Sequence, residues 1–295
     1  MITLTVFTPT YNRAHTIGRT YESLCRQTCK DFEWLVIDDG STDNTRTLIE
    51  QFAKEAPFKI TYVYKENGGL YTGYNKAYEL INTELNVCID SDDFMPDHAV
   101  ELILQTWKTK GSKDYAGIMG LDYYAFTDKP IGGLFPNALK ACSILDLEVK
   151  KLHYGDVKQV MRTDLMRAVA PQVGFVGEKN FNPVYMLWQA TDTLPLIIVN
   201  ENLCFVEYQE HDSMSKNIYQ QYINSPRSFA KMRLLLLSLK RNNLRGRMRA
   251  AIHYVAECLI ARDKHWLKNT QHKALVLAMA PLGLCVYALI KYKTR

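Results

Sequence analysis

The chain has 295 residues, 47% of them hydrophobic, which suits one large globular domain or two modest ones and excludes a disordered protein. Its seven cysteines form no C-x-x-C pair, so we predict reduced, mostly buried thiols without a zinc or redox site. The amino terminus shows no basic stretch, long apolar region or cleavage site. We therefore predict no secretory signal and expect a cytosolic protein.

The net charge of +5 hides a difference between the two ends of the chain. Residues 227–295 carry 15 Lys/Arg against 2 Asp/Glu, whereas the residues before them have a net charge of −8. Blocks of positive charge suit phosphate-rich surfaces. Leu and Ala interleave the basic side chains more than aromatic residues do, so we predict an anionic membrane surface and not nucleic acid as the partner.

The first hundred residues alternate short apolar runs with amphipathic stretches, which predicts an α/β domain with a parallel sheet covered by helices. Strands are predicted at Leu4–Thr8, Glu33–Ile37, Ile60–Tyr64 and Leu85–Ile89. Helices are predicted at Ile17–Thr28, Asn44–Ala56, Leu70–Ile81 and Asp97–Lys108. From Tyr115 to Tyr208 the periodicity is irregular, and we expect loops and short strands that carry specificity for a second substrate.

The sequence becomes helical and basic after Ser225, so we predict one domain at 1–225, with halves 1–97 and 98–225, and a membrane-associating region at 226–295. The last apolar stretch, Ala274–Ile290, is marginal, since a bilayer span needs about 20 residues. Pro281 and Gly283 weaken it further. A span, a half-inserted or interfacial hairpin and a helix packed on the body remain the alternatives.

Acidic residues stand at the ends of two predicted strands. Asp39 follows the second strand, and Asp90, Asp92 and Asp93 follow the fourth. Open α/β sheets bind ligands at this end of their strands. Because three crowded carboxylates repel one another, they favour a divalent cation, Mn²⁺ or Mg²⁺, whose other ligands are phosphate oxygens. The alternative is an acidic loop that only precedes a helix.

Four short motifs occur in chain order at or near these strand ends. They are T-P-T-Y-N-R at residues 8–13, D-D-G-S-T-D-N-T at 38–45, E-N-G-G at 66–69 and D-S-D-D at 90–93. Together they resemble the family 2 glycosyltransferases, firmly over the first hundred or so residues. The resemblance implies a GT-A fold with a Rossmann-like, mostly parallel sheet. It also implies inverting transfer of one sugar from a nucleotide diphosphate, UDP by preference, to a saccharide in bacterial surface-polysaccharide synthesis.

The resemblance also implies roles for single residues. Tyr11 would stack on the base while Asp39 accepts its N–H, and Thr8 and Pro9 would shape that pocket. Asp92 would hold the ribose. Asp93, together with Asp92, would bind the metal, and Asp90 would support them from the end of the strand. Asn67 and Gly68, in the turn before the third helix, would also bind the donor.

In that third helix Tyr74 stands where the family usually has an arginine. Lys76 or Arg13 would then supply the positive charge for the donor, unless Lys76 belongs to a solvated helix face. An inverting transfer also needs a base to remove the acceptor's proton. We nominate Glu178, with Asp156 as its competitor, and place His211 on the diphosphate or metal.

Other functions fit the sequence less well. Sugar nucleotidyltransferases carry a G-x-G-x-R turn after the first strand, and processive synthases need several membrane spans; neither feature is found in this sequence. A catalytically inactive sugar-nucleotide-binding or scaffolding subunit remains the alternative. The basic, apolar tail leads us to expect a lipid-linked acceptor, with the protein peripheral on the inner face of the cell membrane.

Overall fold

The computed structural model describes residues 3–207 and 218–294, and a single eight-stranded sheet forms its centre. The strands are β1 (Leu4–Thr10), β2 (Phe32–Asp38), β3 (Ile60–Tyr64), β4 (Leu85–Cys88), β5 (Gly117–Tyr124), β6 (Ala141–Cys142), β7 (Val157–Arg162) and β8 (Leu196–Val206). Their order across the sheet is β3-β2-β1-β4-β7-β5-β8-β6.

The first four strands form a parallel half, in which β1 lies between β2 and β4 and β3 pairs with β2. The connecting helices are α1 (Ile17–Arg26), α2 (Thr45–Glu55), α3 (Leu70–Leu80) and α4 (Ala99–Lys110). All eight elements lie within two residues of their predicted bounds. Alternate strand residues face opposite layers, since Val6 and Phe7 belong to different hydrophobic clusters.

The second half of the sheet is more regular than predicted. Strand β7 pairs antiparallel with β4 and β5, while β5 and β8 are parallel. Three helices, α5 (Ile144–Val149), α6 (Thr163–Val169) and α7 (Val184–Thr191), pack beside them. The expectation of mainly loops and short strands was wrong for β8, which has 11 residues. Residues buried on both faces of the sheet, such as those of Gly117–Asp122, show no alternation in sequence.

Four helices follow: α8 (Ile218–Asn224), α9 (Pro226–Ser238), α10 (Leu244–Ile260) and α11 (Lys273–Lys293). Helix α9 contributes Phe229 and Met232 to the main core and Ala230 and Leu237 to a separate cluster with α10 and α11. The two regions that were predicted to divide after residue 225 are therefore packed together, because α9 contributes side chains to the core of both.

Arg241, between α9 and α10, fastens the C-terminal helices to the rest of the protein. Its guanidinium donates to the Asp146 carboxylate on α5 over 3.0 Å and to the backbone oxygen of Asp192, just after α7, over 2.7 Å. The Asp192 carboxylate in turn accepts the backbone amides of Lys240 and Arg241, each at 3.2 Å.

Helix α11 lies on α10 and turns an apolar face outward. Val276 and Ile290 are buried and Gly283 is packed closely against Val255 of α10. The exposed face carries Leu277, Leu282, Leu284 and Leu289. Within the described residues α11 alone is long and apolar enough to cross a membrane, with a mean hydropathy of 2.0. It continues through Pro281, so of the three alternatives the hairpin does not fit, and a span or a packed helix stays open.

Candidate active site

The motif residues of the parallel half meet at one edge of the sheet. Thr10 at the end of β1 pairs with Asp38 at the end of β2, and the Asp39 amide donates to the Thr10 carbonyl over 2.8 Å. On the other side of β1, Phe7 pairs with Cys88, two residues before Asp90. The polar residues that follow these strands are therefore neighbours, as ligand-binding residues are in open α/β sheets.

A cleft of about 710 Å³ opens at this edge, between the parallel half and the helices α5 and α7. Its polar lining includes Asp90, Asp93, Asp122, Glu148, His153, Asp156 and Lys158. Tyr74 also lines it and packs edge-to-face on Phe7, with ring centroids 5.1 Å apart. The residue that replaces the family's arginine thus lies in the cleft.

The acidic cluster forms a tight turn in which the Asp93 amide donates to the Asp90 carbonyl over 3.0 Å. Asp90 is exposed, whereas Asp92 is partly buried. Burial and the charge of Asp90 raise the pKa of Asp92, while Arg13 and Arg19 lower it. Arg13 therefore lies within electrostatic reach of the cluster.

Asp93 lines the cleft but is only 5% exposed, and its carboxylate faces a buried ammonium group. The Lys158 ammonium on β7 lies 3.9 Å from the Asp93 carboxylate and 3.8 Å from that of Asp122 on β5. Burial raises the pKa of both carboxyls, and Lys158 opposes the rise. Lys158 is therefore a cationic partner of Asp93 inside the protein, and a metal contact of Asp93 stays a prediction.

The remaining carboxylates fit a hard cation that keeps most of its ligands outside the protein. Within residues 3–207 and 218–294, no group of three His, Cys, Asp or Glu side chains is arranged to hold a metal ion. Asp90 and Asp92 offer oxygen ligands, and burial together with the charge of Asp90 raises the pKa of Asp92 against the opposing charges of Arg13 and Arg19. One or two carboxylates with phosphate oxygens completing the shell match the preference of Mg²⁺ and Mn²⁺.

Asp39 holds the turn that leads into α3. Its carboxylate accepts the amides of Gly68 at 2.9 Å and Gly69 at 2.8 Å, and it forms an ion pair with Lys65. The Asn67 amide donates to the Asp39 carbonyl over 2.8 Å. Gly69 has a φ of +93°, and a Cβ there would meet the Lys179 carbonyl at 2.1 Å. Asp39, Asn67 and Gly68 therefore fix the turn that leads into α3, while contact with a base stays a prediction.

The other predicted donor residues differ in their surroundings. Thr8 is fully buried and its hydroxyl accepts the Trp34 indole N–H at 2.9 Å, so its side chain does not face the cleft. Pro9 is buried beside Gly73 of α3. Tyr11 is 48% exposed, as a stacking platform requires. Lys76 forms an ion pair with Glu79 on the outer face of α3, and the cleft lining does not include it.

Glu178 has a structural environment that corrects its nomination as the base. It is 5% exposed, and one carboxylate oxygen accepts the Arg227 backbone amide at 3.2 Å and its guanidinium at 2.9 Å. The other oxygen accepts the Ser228 amide at 2.8 Å and hydroxyl at 2.7 Å. A carboxylate has about four acceptor positions, and all are used at the start of α9.

Asp156, the competing candidate, lines the cleft and is exposed. Sequence reasoning missed Asp122, Lys158 and His153, which also line it. They come from β5, β7 and the loop before β7, whose pairing is not encoded in any local motif. A lysine inside the apolar pattern of β7 was the one available signal. His211 lies outside the described residues.

Comparisons with known proteins agree with this geometry. Residues 5–136 match the model of glycosyl transferase family 2. An uncharacterized glycosyltransferase of Nostoc sp. is 33% identical over 129 residues, 43% of this chain and 39% of the relative. The chondroitin synthase of Escherichia coli is 32% identical over 105 residues, 36% of this chain and 15% of the relative. The matched segments thus span well under half of these relatives.

Solved structures extend the likeness to the whole fold. S. aureus TarS in complex with UDP-GlcNAc has a TM-score of 0.61 at 16% identity, covering 98% of this chain and 81% of that chain. The mannosyltransferase PcManGT from Pyrobaculum calidifontis, in complex with GDP-Man and Mn²⁺, has a TM-score of 0.55 at 16% identity, covering 95% and 86%. The predicted GT-A fold is confirmed.

Proposed function

We propose that the protein transfers one sugar from a nucleotide diphosphate to a saccharide acceptor, since residues 5–136 match the model of glycosyl transferase family 2. The observation that carries the proposal is the cleft at the carboxyl end of β4, where Asp90 lines the cleft and Asp92 lies beside it. A uridine donor is preferred, since TarS was solved with UDP-GlcNAc; PcManGT with GDP-Man makes guanosine the alternative.

In this proposal Tyr11 stacks on the base, because its ring is exposed at the sheet edge. Asp39, Asn67 and Gly68 keep the neighbouring turn in place. Of the two residues predicted to supply a positive charge to the donor phosphates, we assign this role to Arg13 and not to Lys76, which pairs with Glu79.

Asp90 and Asp92 hold the Mn²⁺ or Mg²⁺ in the proposed complex. When bound, the ion neutralises charge on the departing diphosphate. Lys158 and Asp122 keep the Asp93 side chain in place beneath this pair.

Asp156 replaces Glu178 as the proposed base, because its carboxylate borders the cleft. It takes the proton from the acceptor hydroxyl as that oxygen forms a bond to the anomeric carbon. The bond between that carbon and the diphosphate oxygen breaks, and its electron pair stays on the phosphate. Attack from the face opposite the leaving group inverts the anomeric configuration.

The proposed acceptor is lipid-linked, with the protein resting on the inner face of the membrane. The outward face of α11 carries four exposed leucines between a lysine at its start and two at its end. Each basic side chain near an anionic leaflet contributes about 1 kcal/mol of binding free energy. The test replaces Leu277, Leu282, Leu284 and Leu289 with Ser, which leaves the α10 contact intact. Flotation with phosphatidylglycerol vesicles should be lost, and unchanged flotation would refute the membrane role.

The donor and the chemistry need separate tests. A thermal-shift panel of UDP- and GDP-sugars with Mn²⁺ identifies the donor, because a ligand that prefers the folded state raises the midpoint. Release of nucleoside diphosphate with an acceptor extract then reports transfer. Asp156→Asn should abolish transfer while the thermal shift persists; Asp114→Asn, at an exposed site, is the matched control. Donor binding without release by the wild type would favour the inactive-subunit alternative.

A further inference from the structure

A second cavity, of about 580 Å³, lies behind the cleft and is lined by basic side chains. We call it the basic cavity and define its charged lining as Lys151, Arg233, Arg245 and Arg249, with Glu148 as the only acidic member. Arg233 is ion-paired to the buried Glu257 at 3.2 Å. No hydrogen bond or ion pair within the described parts of the chain engages the side chains of Lys151, Arg245 and Arg249.

Helices α5 and α7 form the wall between the cleft and the basic cavity. From α5, Ile144 and Leu147 line the cleft, Leu145 and Val149 line the basic cavity, and Glu148 lines both. From α7, Leu187 faces the cleft and Trp188 the basic cavity. The two cavities adjoin at the carboxyl end of α5, since Glu148 lines both and the loop after α5 contributes Lys151 to the basic cavity and His153 to the cleft.

Two further observations bear on the occupant. The Trp188 indole N–H and the Asn242 side-chain oxygen, both buried in the lining, have no hydrogen-bond partner among the described residues. Desolvation raises the pKa of the Glu148 carboxyl, and the charges of Arg249 and Arg233 oppose that rise, so both arginines act on the shared wall residue. The oxygen atoms of an anion would accept hydrogen bonds from the side chains of Lys151, Arg245 and Arg249, which are exposed to solvent at this cavity.

We propose that the basic cavity binds a phosphate group carried by the acceptor, so that the acceptor's hydroxyl reaches the cleft. This inference rests on the proposed sugar transfer. Arginine guanidinium groups suit phosphate because they present paired N–H donors. Arg241 fixes the start of α10, and with it Arg245 and Arg249, relative to α5 and α7. The site is therefore preorganised with respect to the cleft.

The first test measures binding of methyl phosphate by isothermal titration calorimetry. The double variant Arg245→Gln/Arg249→Gln should bind it about tenfold more weakly or worse, since two charge-assisted contacts are lost. Lys108→Gln/Lys110→Gln removes the same charge from the exposed end of α4 and should bind like the wild type. Asp92→Asn should also keep binding, which separates this cavity from the donor site. Equal weakening by the α4 control, or no weakening in Arg245→Gln/Arg249→Gln, would overturn the proposal.

A second measurement distinguishes an acceptor phosphate from a lipid headgroup. If the cavity serves the acceptor, Arg245→Gln/Arg249→Gln should float with phosphatidylglycerol vesicles like the wild type. Loss of flotation by this variant alone would assign the arginines to the membrane and overturn the acceptor site. Unfolding midpoints confirm that each variant is folded, and Arg245→Gln alone replaces the pair if it is not. Nucleotide release by the wild type reports the proposed function separately.

Discussion

The two halves of the sheet use charged side chains differently. The parallel half ends in Asp90 and Asp92, which are exposed and partly buried, respectively, and burial and the charge of Asp90 raise the pKa of Asp92. The other half and the C-terminal helices bury charged side chains in ion pairs around Lys158, Glu178 and Glu257, although Asp122 Oδ1 and Glu257 Oε2 have no hydrogen-bond partner among the described residues. Buried ionic groups are costly unless paired, so carboxylates crowded at an open cleft indicate ligand binding and buried ion pairs indicate structure. Asp39 is the exception in the parallel half, because the α3 turn occupies it.

The largest expected effect comes from Asp92→Asn, which tests the functional side of this comparison. Sugar transfer should fall by about 1,000-fold or more, since metal neutralisation of the leaving diphosphate contributes several kcal/mol. The unfolding midpoint should stay near that of the wild type. Asp97→Asn, at an exposed ion pair with Arg26, is the control. Retention of a tenth or more of the transfer rate would contradict the assignment.

Lys158→Met tests the buried side. The change leaves Asp93 and Asp122 without their shared cation and should lower the free energy of unfolding by about 3–5 kcal/mol in urea. Adding Asp122→Asn should recover part of the loss, because one of the two buried carboxylates is then neutral. Lys140→Met, at an exposed position, should change little. A wild-type unfolding curve for Lys158→Met would show that the pairing is not structural.

The pH dependence of stability tests the Glu257 pair. Burial raises the pKa of Glu257 to about 7 from 4.5, with Arg233 opposing the rise. The folded state then holds a proton that the unfolded state has released, so this contribution is complete below the unfolded pKa and is lost as pH rises through about 7. It amounts to at most about 3 kcal/mol. Between about pH 5 and 8, the free energy of unfolding in urea should fall less steeply with pH for Glu257→Gln than for the wild type. Equal slopes for the two proteins would refute the raised pKa of Glu257.

The smallest effect is expected from Glu178→Gln, which tests whether this carboxylate is structural or catalytic. Replacing one acceptor oxygen by an amide should cost about 1–2 kcal/mol of unfolding free energy, while sugar transfer stays within about threefold of wild type. Glu201→Gln makes the same change at an exposed position and is the control. Loss of transfer without loss of stability would restore Glu178 as the base.

Sequence reasoning recovered the parts of the molecule that local signals encode. The strand that runs into Asp90 and the motif around Asp39 placed the sheet edge correctly, because short apolar runs and turn residues act within a few positions. It could not assign Glu178, whose partners Arg227 and Ser228 lie about fifty residues away and belong to another helix. It missed Lys158 for the same reason, since the neighbouring Asp93 and Asp122 come from separate segments.

The Arg241 contacts have a geometric consequence for the proposed enzyme. They tie the helix pair α10–α11 to α5 and α7, which wall the cleft. A bilayer that receives the outer leucines of α11 would thereby set the height and tilt of the cleft above the lipid. The distance from the lipid surface to the cleft, and with it the length of acceptor that reaches the cleft, would then depend on the contacts of Arg241 with Asp146 and Asp192.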